Sequence, residues 1–138
     1  MPPDCNYGFG ANFSIGYEDA VAKVEQRLEI HGFKVYTRLN LQEIIGDSLH
    51  DKVGRYVILG ACNPEFAKEL FMADPDIGLL LPCNIIIYES KKGACRIMIK
   101  DPARIMDLIS NPLAIQAAIN VKEQLEQIID DLTRDSFY

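Results

Sequence analysis

Hydrophobic and polar positions alternate along this chain with two different periods, and the places where the period changes mark its elements. Residues 7–13 interleave Tyr7, Phe9, Ala11 and Phe13 with glycine and asparagine, the period of two that fits a first strand. From 17 to 31 the period lengthens. Tyr17, Ala20, Val21, Val24 and Leu28 share one helical face, Glu18 and Asp19 suit the first turn, and Gly32 supplies a stop. His31 is then a last-turn cation or cap. Residues 33–40 return to alternation and predict a half-exposed second strand. Leu41, Ile44, Ile45 and Leu49 have helical spacing broken by Gly46, which predicts a short helix or an irregular turn.

The apolar run 56–59 reads as a buried strand that turns at Gly60 and Ala61 into a helix opened by Asn63-Pro64. That helix runs to about residue 73, where Asp74-Pro75 ends it. Residues 85–90 and 94–100 form a hairpin joined by Lys91-Lys92-Gly93. Asp101-Pro102 opens a short helix to about residue 109, and Asn111-Pro112 opens the last one. Its stripe of Ala114, Ala118, Val121, Leu125, Ile128, Ile129 and Leu132 covers about 33 Å of helix up to residue 134.

The link from 74 to 82 decides the topology. The helix after Pro64 carries the chain about 15 Å away, and nine extended residues reach back on the order of 30 Å. A parallel neighbour needs only about two to six residues of loop, so the surplus predicts that the strands before and after this link are antiparallel. The fold class that follows is α+β: a two-layer sandwich, with a mostly antiparallel five-stranded sheet and helices packed on one face.

Length and charge narrow the picture further. At 138 residues the chain fits one domain, expected over 7–134, with a loose arm at 1–6 and a tail at 135–138. Fourteen basic residues against 20 acidic ones give −6 with no basic cluster, which argues against nucleic acid and anionic membranes as partners. No signal-peptide pattern and no long apolar run is present, so the expected compartment is the cytoplasm, with the four cysteines reduced. Gly8-Phe9-Gly10 is not a dinucleotide loop, because no strand precedes it and Phe13 stands where a third glycine would be.

The chemistry-bearing stretch is 60–84, where Cys62 and Cys83 are each followed by asparagine and each lie beside a proline turn. If the two strands are antiparallel, both thiols reach one end of the sheet. Cys62 sits just before a helix N-terminus, whose unpaired amides and dipole favour a thiolate, with Glu65 as the opposing charge. The candidate ligand-binding set is Cys62, Asn63, Glu65, Cys83 and Asn84, and the candidate metal ligands are Cys62 and Cys83, suited to a soft transition metal. No close C-x-x-C pair marks a zinc site. Three functions stay open: a small-ligand or soft-metal binding module, a thiol-dependent redox enzyme or sulfur carrier with Cys62 as nucleophile, and a structural or interaction domain with buried thiols. Cys5 in the arm, Cys95 on the core face of its strand and His50 in a polar loop are expected to be incidental.

The segments 56–65 (YVILGACNPE), 76–88 (DIGLLLPCNIIIY) and 100–102 resemble the bacterial and archaeal family called domain of unknown function 302, with family-like spacing over 13–132. The resemblance implies an antiparallel sheet with helices on one side, similar to the TATA-box-binding protein, and pairing as a homodimer. It implies no reaction.

Overall fold

The computed structural model describes residues 5–108 and 110–135. Most of the expected loose arm and C-terminal tail, and residue 109 at the expected end of a helix, lie outside that range. Among the described residues the chain forms five strands, β1 (Gly8–Phe13), β2 (Lys34–Asn40), β3 (Tyr56–Cys62), β4 (Cys83–Lys91) and β5 (Ala94–Lys100). The α-helices are α1 (Tyr17–Ile30), α2 (Gln42–Ile45), α3 (Pro64–Ala73), α4 (Pro102–Met106) and α5 (Pro112–Arg134). The sheet order is β1-β5-β4-β3-β2, and every neighbouring pair is antiparallel.

Strand alternation sets the two layers. Leu59, Ala61, Ile85, Ile87, Cys95, Ile97 and Ile99 point to one face and are buried against Ala20, Val24 and Leu28 of α1 and Val121, Leu125 and Ile128 of α5. From Val121 to Leu132 the helical stripe read from the sequence seals this core, while Ala114 at its start belongs to a second cluster. Removing each large aliphatic side chain from water contributes about 1.5–3 kcal/mol, so these two helices supply most of the force that holds the layers together. α3 and α5 begin as their asparagine-proline pairs require. Asn63 Oδ1 accepts from the Glu65 and Phe66 amides, and Asn111 Oδ1 accepts from those of Leu113 and Ala114.

β3 and β4 are antiparallel, as the surplus of connecting chain predicts, and Ala61 stands opposite Cys83. The return path differs from the extended one expected. It coils into a 3-10 turn over Pro75–Leu80, started by Asp74, whose carboxylate accepts from the Asp76 amide. Burial explains this: Ile77 is 2 % exposed and packs with Leu70, Ala114 and Ala117 in a second, smaller cluster. β2 also departs from the expected half-exposed alternation. A register shift between Val35 and Thr37 interrupts it, and this edge strand is largely exposed.

On the opposite side of the sheet lies the 42–51 segment. α2 is a single turn, and Gly46 at φ 59 redirects the backbone into a 3-10 turn over Gly46–Asp51, a conformation costly for a residue with a Cβ. Leu49 is buried at 3 % exposure and pins the segment in place. No helix among the described residues is long and apolar enough to cross a membrane.

Candidate functional site

Two places in the fold gather chemically interesting side chains. The first is the corner where β3 ends and β4 begins. Here the register brings Cys62 and Cys83 to the same end of the sheet, with Ala61 opposite Cys83. The Cys83 thiol donates to the Lys100 carbonyl at 3.9 Å, and the Lys100 ammonium donates to the carbonyls of Leu80 and Pro82 at 3.0 and 2.9 Å. Both thiols border a cavity of about 30 Å³, walled by Phe33, Phe66, Leu70, Leu81 and Val121. That space holds about one or two waters.

The corner does not favour a thiolate, which corrects the expectation for Cys62. Burial pushes the Cys62 thiol up, against smaller opposing effects from the Cys83 amide and the Lys100 charge. Burial pushes Cys83 from 9.0 up to about 12, with Lys100 again opposing. For Cys83, which does not precede a helix, that rise opposes ionisation by about 4 kcal/mol. The helix end is also already spent, because the Asn63 side chain occupies the first amides of α3. All four cysteines are free thiols.

The expected site residues separate in space. Asn63 caps α3 and donates from Nδ2 to the His31 carbonyl, holding the helix to the end of α1. Glu65 is exposed in the first turn of α3 and does not line the corner cavity. Asn84 faces the other side of the sheet, one residue past Cys83, as the period of two requires. Among the described residues no group of three or more His, Cys, Asp or Glu stands where it could hold a metal ion. His31 acts as the expected cap of α1, and its ring bonds to Gln124 and Asp131 of α5, each at 3.0 Å. The side chain of His50 lies outside the described set.

The second place is the open face of the sheet, which the sequence reading did not single out. A groove of about 640 Å³ lies between this face and the 42–51 segment. Its floor is Tyr56, Asn84, Ile86, Tyr88 and Met98, Leu41, Ile45 and Leu49 line it from the 41–49 stretch, and Cys5 and Tyr7, just before β1, also border it. Tyr56 and Tyr88 are cross-strand partners whose rings stack at 5.0 Å with an interplanar angle of 1°. Burial raises the Tyr56 hydroxyl pKa, with Tyr88 and Tyr7 adding to it. Lys52, Arg96 and Lys100 also line the groove, and none of its described lining residues is Asp or Glu. A signal for this face is present in the sequence: Ile85, Ile86 and Ile87 run without a break, so β4 is apolar on both sides. Cys5, expected to be incidental, is among the residues that line the groove.

These features define a two-layer α+β domain with helices closing one face of an antiparallel sheet and a ligand-sized groove on the other. Residues 10–132 match the family described as Domain of unknown function DUF302, and the chain belongs to that family. Its fold is similar to that of an uncharacterized conserved DUF302 protein from Bacillus stearothermophilus, with a TM-score of 0.78 and 22% identity, covering 91% of this chain and 98% of that one. No curated protein matches the sequence.

Proposed function

We propose that this chain is a small-molecule-binding module whose ligand lies in the open-face groove. The observation that carries the reading is the match between size and lining. The groove is about 640 Å³, within the roughly 300–1,000 Å³ of ordinary ligand sites. It is floored by an aromatic stack and aliphatic side chains where a solvated sheet face would carry polar ones.

The cysteine corner supports a site less well. A soft metal needs more ligands than two thiols, and a nucleophile needs an ionised sulfur, whereas burial keeps both thiols protonated. The corner reads as packing that anchors the β3–β4 junction.

The neutral fluorescent probe N-phenyl-1-naphthylamine tests the proposal by titration. The expected result is saturable binding at one site, weakened at least about tenfold by Ile86→Glu, which puts a charge on the groove floor, and unchanged by Cys62→Ser. Binding that survives Ile86→Glu and disappears in Cys62→Ser would place the site at the corner instead.

A further inference from the structure

Strand register orders the polar groups of the groove. Asn84, Ile86 and Tyr88 alternate along β4 and all line the open face, so Asn84 and Tyr88 stand about 13 Å apart with Ile86 midway. Met98 is the register partner of Ile86, and Tyr56 is that of Tyr88. The floor therefore has an apolar centre, with an amide at one end and a pair of phenols at the other.

The phenol pair has unused hydrogen-bonding capacity. Rings parallel to within 1° with centroids 5.0 Å apart are too close to lie side by side in one plane, so each takes up the inner face of the other. What the pair offers a ligand is ring edges and two hydroxyls on one face of the sheet. Among the described residues neither hydroxyl has a hydrogen-bond partner, and nor does the Asn84 side chain. Yet Tyr56 and Tyr88 are half-buried. Burial raises the Tyr56 pKa, which keeps that hydroxyl protonated at neutral pH. A protonated phenol is a stronger donor than acceptor, because its oxygen lone pair is delocalised into the ring.

The cations at the groove have protein oxygens close by. Lys100 donates to the Leu80 and Pro82 carbonyls, Arg96 donates to Asn12 Oδ1, and Lys52 also borders a neighbouring hollow that contains Glu89. Recognition of a ligand on the floor therefore falls to uncharged donors.

We propose that the occupant is an uncharged planar carbonyl compound, with its rings on Ile86 and Met98 and its carbonyl oxygen accepting from the Tyr56 and Tyr88 hydroxyls. This rests on the binding-module reading above and adds the ligand class. The two lone pairs of a carbonyl oxygen match two donors. A hydrocarbon of the same shape would cover those donors without satisfying them, which costs free energy.

Three tricyclic compounds of nearly the same shape separate the two claims. Fluorenone carries a carbonyl acceptor, carbazole an N–H donor, and fluorene neither. Each is measured against the full chain by equilibrium dialysis. Fluorenone is expected to bind about tenfold tighter than either of the others, the scale of one or two net hydrogen bonds. Tyr56→Phe with Tyr88→Phe keeps both rings and removes both hydroxyls. Checked for native circular dichroism, this double variant is expected to bring fluorenone and fluorene to parity, and each single variant to cut the advantage of fluorenone about threefold. Equal binding of all three by the unmodified chain, or a preference for carbazole, overturns the carbonyl inference and leaves the groove reading standing if Ile86→Glu weakens that binding. A fluorenone preference that survives loss of the hydroxyls does the same. Failure of all three to bind, or binding that ignores Ile86→Glu, overturns both.

Discussion

Tyr56 and Tyr88 face each other across β3 and β4 with their rings parallel to within 1° and 5.0 Å apart, on the sheet face that no long helix covers. A stacked pair at this spacing contributes about 0.5–1.5 kcal/mol beyond the area it buries. A double-mutant cycle of Tyr56→Ala and Tyr88→Ala by urea unfolding is expected to return a coupling energy in that range. Each single variant is also expected to weaken N-phenyl-1-naphthylamine by about fivefold or more, because the groove loses a wall of its floor. Zero coupling together with unchanged dye binding would remove the stack from both roles.

The thiols are ranked by burial. Cys5 is half-buried and lines the groove, so it is expected to react first with N-ethylmaleimide, and a bound dye is expected to slow it. Cys62 should follow slowly, because burial holds its proton. Cys83, pushed up to about 12, has about one thiolate in ten thousand at pH 8. Cys95 is buried and pushed up to about 11 by burial, with Glu89 adding. Peptide mapping after timed alkylation reads the order, and a fast Cys62 or Cys83 would revive thiol chemistry. The same shifts act on stability. Below about pH 9 both folded and unfolded states keep these protons, whereas above it only the unfolded state releases them, so stability falls from about pH 9 towards 12.

At the other end of the pH scale, Asp131 is held down to about 2, first by its hydrogen bond to His31, then by Gln127. A folded carboxyl below its usual 3.8 stabilises the fold above about pH 4 and stops doing so as pH falls towards 2. Asp131→Asn is expected to lower Tm by about 3–6 °C at pH 7, the scale of one lost charge-assisted hydrogen bond. The gap should close near pH 2, where the native carboxyl is protonated too. A gap that stays constant with pH would contradict the assignment.

β1 closes against β5 only because Gly10 lacks a side chain. A Cβ there would lie 1.9 Å from the Ile97 carbonyl oxygen, a backbone atom that cannot swing away. Gly10→Ala is expected to cost at least about 1–3 kcal/mol in urea unfolding, the range for overpacking. It should also loosen the edge of the groove, which Gly8 and Tyr7 border. A variant of unchanged stability would mean that β1 pairs differently.

Much of this architecture follows from short-range signals in the chain. The asparagine-proline pairs at 63–64 and 111–112 start helices as their chemistry demands, and the length of the 74–82 link correctly orients β3 against β4. The site was harder to read for two reasons. That β3 ends where β4 begins follows from chain reach, but Cys62 and Cys83 form no close pair, and their ionisation depends on how many apolar groups from α3, α5 and the 75–80 turn close over them, which no local pattern encodes. The groove depends on Gly46 turning the 42–51 segment across the open face, and on Ile86 and Met98 facing away from the core. Only the unbroken isoleucine run hinted at the latter.

The central claim is that the open face of the sheet is the ligand site. Amide chemical-shift mapping of the full, isotopically labelled chain during titration with 1-anilinonaphthalene-8-sulfonate tests it most directly. The account predicts the largest shifts at Gly8, Leu49, Asn84, Ile86, Tyr88 and Met98, with Asn63, Glu65 and Phe66 undisturbed. Shifts concentrated at Cys62, Asn63 and Cys83 with a silent open face would contradict it.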